Sequence, residues 1–227
     1  MYKENRKKPN THADKQLIYG IRAVEEAIES NQEFERIYLA KESGSALKGL
    51  SDTIRANKLP VHVVPTPKLN RLCRGNHQGV VAFLSIIPNV AIGEIITRCF
   101  EEGRDPKILM LDRITDVRNF GALSRSALAF GFNAIVVPHK GSALIHEDAV
   151  KASAGALLKM PLAKVASLAN CVDEIKNYGL EIICISEKAT ESISGKTLNK
   201  PFCVILGNEE TGIDSYILGQ ADASYKI

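Results

Sequence analysis

The chain has 227 residues, 45% of them hydrophobic, and a formal net charge of +3 at pH 7. This length and composition suit one large or two small globular domains, and no stretch approaches the roughly 20 apolar residues that a membrane-spanning helix needs. The N-terminus lacks the apolar core of a signal peptide, and the five scattered cysteines form neither a C-x-x-C pair nor a Cys/His metal-ligand pattern. The sequence therefore predicts a cytoplasmic protein with buried, reduced thiols and no metal site.

The positive charge is concentrated in residues 1–16. Five basic side chains stand there against two acidic ones, so this segment carries an excess equal to the net charge of the whole chain. Such a composition predicts a solvated, disordered tail. The alternative is an arm that binds the phosphates of a nucleic acid. The charged residues concerned are Lys3, Glu4, Arg6, Lys7, Lys8, Asp14 and Lys15.

The pattern over residues 17–87 predicts a small α/β domain. Apolar residues recur at helical spacing in three segments, and three short runs are β-prone and bounded by turn residues. The predicted helices cover residues 20–29, 47–57 and 68–73, and the predicted strands cover residues 36–40, 61–64 and 80–86.

A connection between two domains is predicted over residues 88–106. Ile92, Ile95, Ile96 and Cys99 recur there at helical spacing, and Gly103 follows them. This spacing favours a packed linker helix over a flexible tether.

A second domain, residues 107–227, alternates strand and helix patterns. Continuous apolar runs such as residues 108–111 are typical of strands buried on both faces of a sheet. The alternation predicts an α/β fold, with a mostly parallel sheet and helices on both of its faces. The predicted strands cover residues 108–111, 134–137, 181–185 and 202–206, and the predicted helices cover residues 119–130, 147–159 and 166–178.

Two glycine-containing motifs follow predicted strands of this second domain. Residues 119–131 have the pattern N-x-G-x-x-x-R-x-A-x-x-x-G, and residues 207–212 have the pattern G-x-E-x-x-G directly after the strand that ends at Leu206. Ligands of open parallel sheets gather at the carboxyl ends of strands, where Gly207 and Gly212 would allow a tight turn and a close approach to a ligand. Neither motif is a dinucleotide or P-loop fingerprint, which argues against a nicotinamide enzyme, a kinase and a Rossmann-type methyltransferase.

Two arginines belong to the first of these segments. Arg118 precedes the predicted helix, and Arg125 lies on it. A guanidinium group near a strand end can bind an RNA phosphate or a cofactor carboxylate. The alternative for Arg125 is an ordinary solvated arginine on a helix.

The order and separation of the two motifs resemble motifs one and two of the SpoU (TrmH-type) RNA ribose 2′-O-methyltransferases, within the SPOUT superfamily. Residues 17–24 and 76–82 are similar to the start and the end of that family's N-terminal substrate-binding domain. Residues 153–156, together with Pro161, are also similar to its catalytic domain. The two-domain arrangement most resembles enzymes that methylate a guanosine ribose in 23S rRNA.

The resemblance implies S-adenosylmethionine as the methyl donor, a SPOUT fold with a C-terminal trefoil knot, and a homodimer. It implies structured RNA as the partner, rRNA rather than tRNA, with no role for DNA or a membrane. By motif position, Asn119, Arg125 and Glu209 form the reaction centre, where Arg125 either takes the proton of the ribose 2′-OH or positions a substrate phosphate that takes it. The implied donor contacts are Leu206, Gly207, Glu209, Gly212 and Ile227.

The sequence departs from the family pattern after Ile227. A third motif, built around S-L-N-V-S-V-A, is not present in these 227 residues. We therefore expect a C-terminally truncated catalytic domain with an incomplete knot and with impaired donor binding and dimerisation. Two alternatives stay open: a tRNA ribose 2′-O-methyltransferase, and a non-catalytic RNA-binding protein that has lost donor binding with the third motif.

A group of polar residues in the first domain predicts an RNA-binding surface. Lys68, Arg71 and Arg74 lie three residues apart, so on a helix they would share one face. Asn76, His77 and Gln78 follow, and all three can hydrogen-bond an RNA backbone or base. The alternative is a solvated basic helix that ends in a polar turn.

Overall fold

The protein is described here by a computed structural model, which describes residues 17–41 and 44–227 and divides the chain into two compact units, Met1–Ile86 and Ile87–Ile227. The predicted basic tail, residues 1–16, lies outside the described residues. Within the described ranges, no helix is long and apolar enough to cross a membrane.

In its described residues, 17–41 and 44–86, the first unit is a four-stranded sheet with three helices. Its strand order is β1-β4-β2-β3, with β4 antiparallel to both of its neighbours and β3 parallel to β2. The strands are β1 (Leu17–Tyr19), β2 (Phe34–Ala40), β3 (Val61–Val64) and β4 (Val80–Leu84), and the helices are α1 (Ile21–Glu29), α2 (Ser45–Ala56) and α3 (Thr66–Leu72).

The core of the first unit forms where the apolar stripes of the helices meet the sheet. Val24 of α1, Leu50 and Ile54 of α2, and Leu69 of α3 are each fully buried, as is Ile37 of β2. These residues belong to the predicted apolar pattern, so the predicted helices and strands are confirmed here. The short strand β1 was not predicted, because three residues are too few to show alternation.

The second unit is a seven-stranded sheet whose neighbouring strands are all parallel, in the order β7-β6-β5-β10-β8-β11-β9. This confirms the α/β fold class with a parallel sheet. The strands are β5 (Lys107–Leu111), β6 (Ala134–Pro138), β7 (Leu162–Val165), β8 (Glu181–Ile185), β9 (Glu191–Ser192), β10 (Phe202–Leu206) and β11 (Ala223–Lys226). The helices are α4 (Ile92–Glu101), α5 (Val117–Ala129), α6 (Glu147–Ala152), α7 (Leu168–Asn177) and α8 (Ser215–Gly219), with a 3-10 turn at Ala156–Leu158.

The predicted linker helix is part of the second unit. Ile95 and Ile96 of α4 lie in the same buried cluster as Ile108 and Met110 of β5. Just before α4, the backbone N–H of Val90 donates to the carbonyl of Leu162 at 3.0 Å. Residues 88–106 therefore pack as an integral layer of this unit rather than as a separate connection.

The predicted helix over residues 147–159 is wrong in its second half, since α6 ends at Ala152. Ala154 and Gly155 adopt left-handed backbone conformations, with φ of 50° and 82°, which no α-helix can continue through. The chain then forms the 3-10 turn instead. The elements β7, β9, α8 and β11 were not predicted, because each has at most five residues and too short a pattern to show a period.

All five cysteines are buried and free, which confirms the prediction for the thiols. Burial raises the pKa of Cys171 to about 12 and the pKa of Cys184 to about 11. Both thiols are therefore protonated and unreactive at neutral pH.

Candidate active site

The candidate site lies where the chain order of the parallel sheet reverses. β5 and β10 are neighbours at the centre; β6 and β7 extend the sheet on one side, and β8, β11 and β9 extend it on the other. Open α/β sheets bind ligands at such switch points, beyond the carboxyl ends of the strands. Two loops meet there: the β5–α5 loop, residues 112–116, and the β10–α8 loop, residues 207–214.

The β10–α8 loop is held by the side chain of one asparagine. Asn208 Oδ1 accepts hydrogen bonds from the backbone N–H groups of Glu210 and Thr211, at 2.8 and 3.2 Å. The N–H of Gly212 donates to the carbonyl of Asn208 at 2.8 Å. A Cβ atom on Gly207 would lie 2.3 Å from the carbonyl carbon of Gly212, so only glycine permits this closure.

An ion pair between the buried Asp112 and the half-buried Arg113 attaches this loop to the end of β5. Arg113 Nε and Nη2 donate to the two carboxylate oxygens of Asp112, at 3.0 and 2.9 Å, and Nη2 also donates to the carbonyl of Gly212 at 3.1 Å. The backbone N–H of Asp214 donates to Asp112 Oδ2 at 2.7 Å, and Asn208 Nδ2 donates to the carbonyl of Arg113 at 3.1 Å. These residues were not predicted as site residues from the sequence, although a carboxylate directly after a buried strand was an available signal.

The two motifs meet at Asn119 and Glu209. Asn119 Nδ2 donates to Glu209 Oε1 at 2.8 Å. The start of α5 fixes this geometry, because Asp116 Oδ1 caps the helix by accepting from the backbone N–H groups of Arg118 and Asn119, at 2.8 and 2.9 Å. Two of the three residues predicted for the reaction centre are therefore in direct contact.

Arg125 is not part of that contact. It lies six residues after Asn119 on α5, which places it about 9 Å further along the axis and about 120° around it. Arg118 and Arg125 are seven residues apart, so they share one face of the helix, and both are exposed. Among the described residues, neither guanidinium group has an ion-pair partner.

The glycine of the first motif has a packing role. A Cβ atom on Gly121 would lie 2.4 Å from the Cβ of Ala152 and 2.8 Å from the backbone nitrogen of Ser153. Gly121 thus lets α5 approach the end of α6 closely. The small side chains of Ala152 and Ser153 suit the same close approach.

A cavity of about 180 Å³ opens beside the β10–α8 loop. Its walls come from this loop, from the segment after β8 and from Leu218 of α8. Among the predicted donor contacts, Gly207, Glu209 and Gly212 line this cavity; Leu206 and Ile227 do not, and Ile227 is 96% exposed. The lining residues that the sequence analysis missed are Ile185, Ser186, Glu187, Lys188, Asn208, Glu210, Thr211, Ile213 and Leu218.

The predicted basic surface of the first unit is only partly helical. Lys68 and Arg71 lie exposed on α3, and Lys68 Nζ lies 5.3 Å from the ring centroid of Tyr38. Arg74 is exposed but lies beyond the end of α3, because Cys73 already has an extended backbone. The prediction that all three share a helical face is therefore wrong for Arg74.

Two of the three polar residues that follow are used inside the unit. His77 Nδ1 accepts from the backbone N–H of Gly79 at 3.0 Å, and His77 Nε2 lies 2.8 Å from Asn70 Oδ1, to which it donates as the protonated nitrogen. Gln78 Oε1 accepts from the backbone N–H of Ile21, the first residue of α1, at 3.0 Å. Asn76 is exposed and lines an open cavity that Tyr19 and Arg22 also line.

Within the described ranges, no group of three or more His, Cys, Asp or Glu side chains could hold a metal ion.

Comparison with known families identifies this architecture. Residues 106–227 match the SpoU rRNA Methylase family, and residues 17–89 match the RNA 2′-O ribose methyltransferase substrate-binding family. Together with the parallel sheet, these matches define an RNA methyltransferase of the SPOUT class. Within that class, the chain belongs to the SpoU family of RNA 2′-O-ribose methyltransferases, as its two motifs predict.

Individual relatives agree with this assignment. The 23S rRNA (guanosine-2′-O-)-methyltransferase RlmB of Pseudomonas putida is 31% identical over 200 residues, covering 86% of this chain and 80% of RlmB. YacO of Bacillus subtilis, assigned to the TrmH family of tRNA/rRNA methyltransferases, is 26% identical over 214 residues, covering 92% of this chain and 85% of YacO. The fold is similar to the crystal structure of the SpoU methyltransferase AviRb of Streptomyces viridochromogenes in complex with AdoMet, with a TM-score of 0.55, 21% identity, and coverage of 93% of this chain and 79% of AviRb.

Proposed function

We propose that this protein transfers a methyl group from S-adenosylmethionine to the ribose 2′-OH of a guanosine in 23S rRNA. The observation that carries the proposal is the hydrogen bond between Asn119 and Glu209, which joins the two family motifs beside the cavity. The relation to RlmB of Pseudomonas putida, whose name gives this activity, supports the choice of nucleotide and RNA.

The cavity beside the β10–α8 loop has the properties of a donor site. A Cβ atom on Gly212 would meet nothing within 4 Å, so the backbone is open to a ligand at that point. Three glutamates, Glu187, Glu209 and Glu210, line the cavity with one lysine, Lys188, and this excess of negative charge favours a ligand that carries a sulfonium and an ammonium group. In this proposal Gly207 and Gly212 hold the donor through their backbone, and the donor supplies an activated methyl group on sulfur.

The residues of the chain then act mainly by positioning. Methyl transfer to an activated sulfonium is an in-line displacement, in which alignment of the ribose oxygen and loss of its proton are the tasks left to the protein. Asn119 holds the Glu209 carboxylate at the junction of the donor cavity and the start of α5. A fixed carboxylate of this kind can orient the ribose by accepting a hydrogen bond from it.

Arg118 and Arg125 form the proposed RNA-facing side of α5. Both side chains are exposed on one helix face, about 10 Å apart along the axis, which suits two backbone phosphates. An arginine keeps its proton at any physiological pH. In this proposal Arg125 therefore holds a substrate phosphate that accepts the proton of the 2′-OH.

The RNA-binding surface of the first unit is proposed to include Lys68, Arg71, Arg74 and Asn76, which are all exposed. Its match to a substrate-binding family supports this role. Phosphate contacts by lysine and arginine give affinity without sequence selection, whereas an exposed asparagine can read a base edge.

We also propose that the protein is cytoplasmic and forms a homodimer. Both proposals rest on the SpoU family pattern, and sedimentation analysis of the purified protein tests the dimer.

The substrate class is tested by offering three nucleic acids in parallel. The protein is incubated with a donor labelled in its methyl group and with unmodified 23S rRNA, unmodified tRNA or DNA of matched length. We expect label in the rRNA only. DNA lacks the 2′-OH, so equal label in DNA would contradict the proposal.

The tRNA alternative is favoured by one observation, the tRNA/rRNA assignment of YacO of Bacillus subtilis. Label in tRNA but not in rRNA would establish it. No label in any nucleic acid, with RNA binding retained and no heat of donor binding in calorimetry, would instead favour an RNA-binding protein without catalytic activity.

A further inference from the structure

Among residues 17–41 and 44–227, Asp112 is one of two buried charged residues, the other being Glu35. Only 4% of it is exposed, and it follows directly on β5. A buried carboxylate is costly unless its oxygens are hydrogen-bonded. Both oxygens are satisfied here: Arg113 Nε donates to Oδ1, and Arg113 Nη2 and the backbone N–H of Asp214 donate to Oδ2.

Arg113 is held in an unusual backbone conformation. Its φ of 58° is left-handed, a region that costs free energy for a residue with a side chain and that concentrates at functional sites. This conformation allows both the backbone and the side chain of Arg113 to bind the β10–α8 loop. Its carbonyl accepts from Asn208 Nδ2, and its Nη2 donates to the carbonyl of Gly212, so it contacts both ends of the turn in the β10–α8 loop.

These contacts define how the loop is attached. Asp112 and Arg113 bind residues that are 95 to 102 positions away in the chain: Asn208, Gly212 and Asp214. Glu209 lies within this attached stretch and reaches Asn119 on α5. These contacts therefore hold in place both the β10–α8 loop, which lines the cavity, and the carboxylate of Glu209, which is bonded to Asn119.

We propose that Asp112 and Arg113 are positioning residues, which hold the β10–α8 loop in its donor-binding conformation before the donor arrives. The proposal rests on the proposed function, because it assigns the cavity to the methyl donor. Neither residue lines the cavity, so their effect reaches the donor through Asn208 and Gly212, which do line it and are bonded to Arg113.

Pre-organisation has a specific thermodynamic consequence. When only a fraction of the molecules have the binding conformation, the observed dissociation constant rises by the inverse of that fraction for every ligand of the site. Loss of these contacts should therefore weaken the binding of S-adenosylmethionine and of its demethylated product by the same factor. By contrast, loss of a residue that interacts with the sulfonium charge would weaken the binding of the donor more than the binding of the product.

The test uses Arg113→Lys and Asp112→Asn in the full chain. Lysine keeps the charge but cannot form the two-nitrogen contact with Asp112, and asparagine keeps the shape but places an amide against Arg113. The matched control is Arg104→Lys. Arg104 is an exposed arginine that precedes β5 and forms an ion pair with Glu102. Donor and product affinities are measured by calorimetry, and the melting temperature is recorded for each variant.

We expect both variants to bind donor and product about tenfold more weakly, with equal factors, while the control is unchanged. Hydrogen exchange gives a second readout that needs no ligand. The backbone N–H groups of Asp214 and Gly212, which are bonded to Asp112 and Asn208, should exchange faster in both variants than in the wild type. Addition of donor should restore part of this protection.

Unchanged exchange at Asp214 and Gly212, or unchanged ligand affinity in both variants, would overturn the proposal. A loss of affinity for the donor alone would also overturn it. If the wild-type protein binds no donor, the proposed function fails, while the exchange rates still decide whether the two residues hold the loop. If Asp112→Asn does not fold, Arg113→Lys carries the test, because it leaves the buried carboxylate and a cation in place.

Discussion

Asn119 on α5 donates a hydrogen bond of 2.8 Å to Glu209, which lies ninety residues later in the β10–α8 loop. This contact connects the wall of the cavity to the helix that carries Arg118 and Arg125. An amide is suited to this place, because it can donate to the carboxylate without adding a charge. The contact turns two motifs that are distant in sequence into one site.

We expect changes to either partner to slow methyl transfer without unfolding the protein. Removal of one oriented hydrogen bond at a reaction centre typically costs about 10²-fold in rate, so Asn119→Ala should lose about that factor. Asn119→Asp should lose more, because two carboxylates would then repel each other. Single-turnover methylation of 23S rRNA measures the rates.

The control for this prediction is Asn177→Asp, which makes the same change on an exposed residue at the end of α7. Its rate should equal that of the wild type. An Asn119→Asp variant as fast as Asn119→Ala would show that Glu209 does not face residue 119 during the reaction.

Arg125→Ala should abolish methyl transfer and leave donor affinity nearly unchanged, because Arg125 lies exposed on the side of α5 that we assign to RNA. Arg118→Ala should weaken RNA binding and reduce its log–log salt slope by roughly 0.7 to 0.9, as expected for one lost phosphate contact. Filter binding at several salt concentrations and calorimetry with the donor measure the two effects.

Arg98→Ala is the control for these arginines. Arg98 is exposed on α4 but is paired with Glu94 at 2.8 Å, so it is not available to a phosphate in the same way. The Arg98→Ala variant should bind RNA with the affinity of the wild type. Loss of folding in Arg125→Ala would show that Arg125 is structural.

The polar residues of the first unit should separate into two classes. Replacement of Lys68, Arg71 and Arg74 by alanine should lower RNA affinity and flatten the salt slope, with little change in the free energy of unfolding. Gln78→Ala should instead lower the free energy of unfolding by roughly 0.5–2 kcal/mol, because the backbone N–H of Ile21 loses its acceptor.

Urea denaturation and RNA titration of both variants distinguish these classes. An unchanged salt slope in the triple variant would show that this surface does not bind RNA. A Gln78→Ala variant that is fully stable yet weaker in RNA binding would make Gln78 a direct RNA contact.

The glycine of the first motif, Gly121, should not tolerate a methyl group. Gly121→Ala should lower the free energy of unfolding by about 1–3 kcal/mol, because its Cβ would overlap Ala152 and Ser153. Gly49→Ala is a matched control with the opposite sign. Gly49 lies within α2 with nothing within 4 Å of the added Cβ, so alanine should stabilise the helix by about 0.5–1 kcal/mol. Equal effects of the two changes in urea denaturation would contradict the packing role of Gly121.

Sequence patterns predicted the layers of this fold well, because long apolar runs and helical spacings are local signals. The resemblance to the SpoU family, rather than any local pattern, implied that Asn119 and Glu209 belong to one reaction centre. The structure shows that the strands preceding their motifs, β5 and β10, are neighbours. Sequence patterns could not predict Arg113, whose role depends on a left-handed backbone and on partners about a hundred residues away. They could not separate His77 and Gln78 from RNA-binding residues, because polar side chains in a turn look alike until their internal hydrogen bonds are known.

The position of the transferred methyl group decides whether this protein methylates the ribose of a guanosine. 23S rRNA labelled by the protein is digested to nucleosides, and the labelled nucleoside is identified by mass spectrometry. We predict that the label is found in 2′-O-methylguanosine, with Asn119→Ala reducing its amount about 10²-fold. Label on a nucleobase, or equal label in the wild type and the Asn119→Ala variant, would contradict the account.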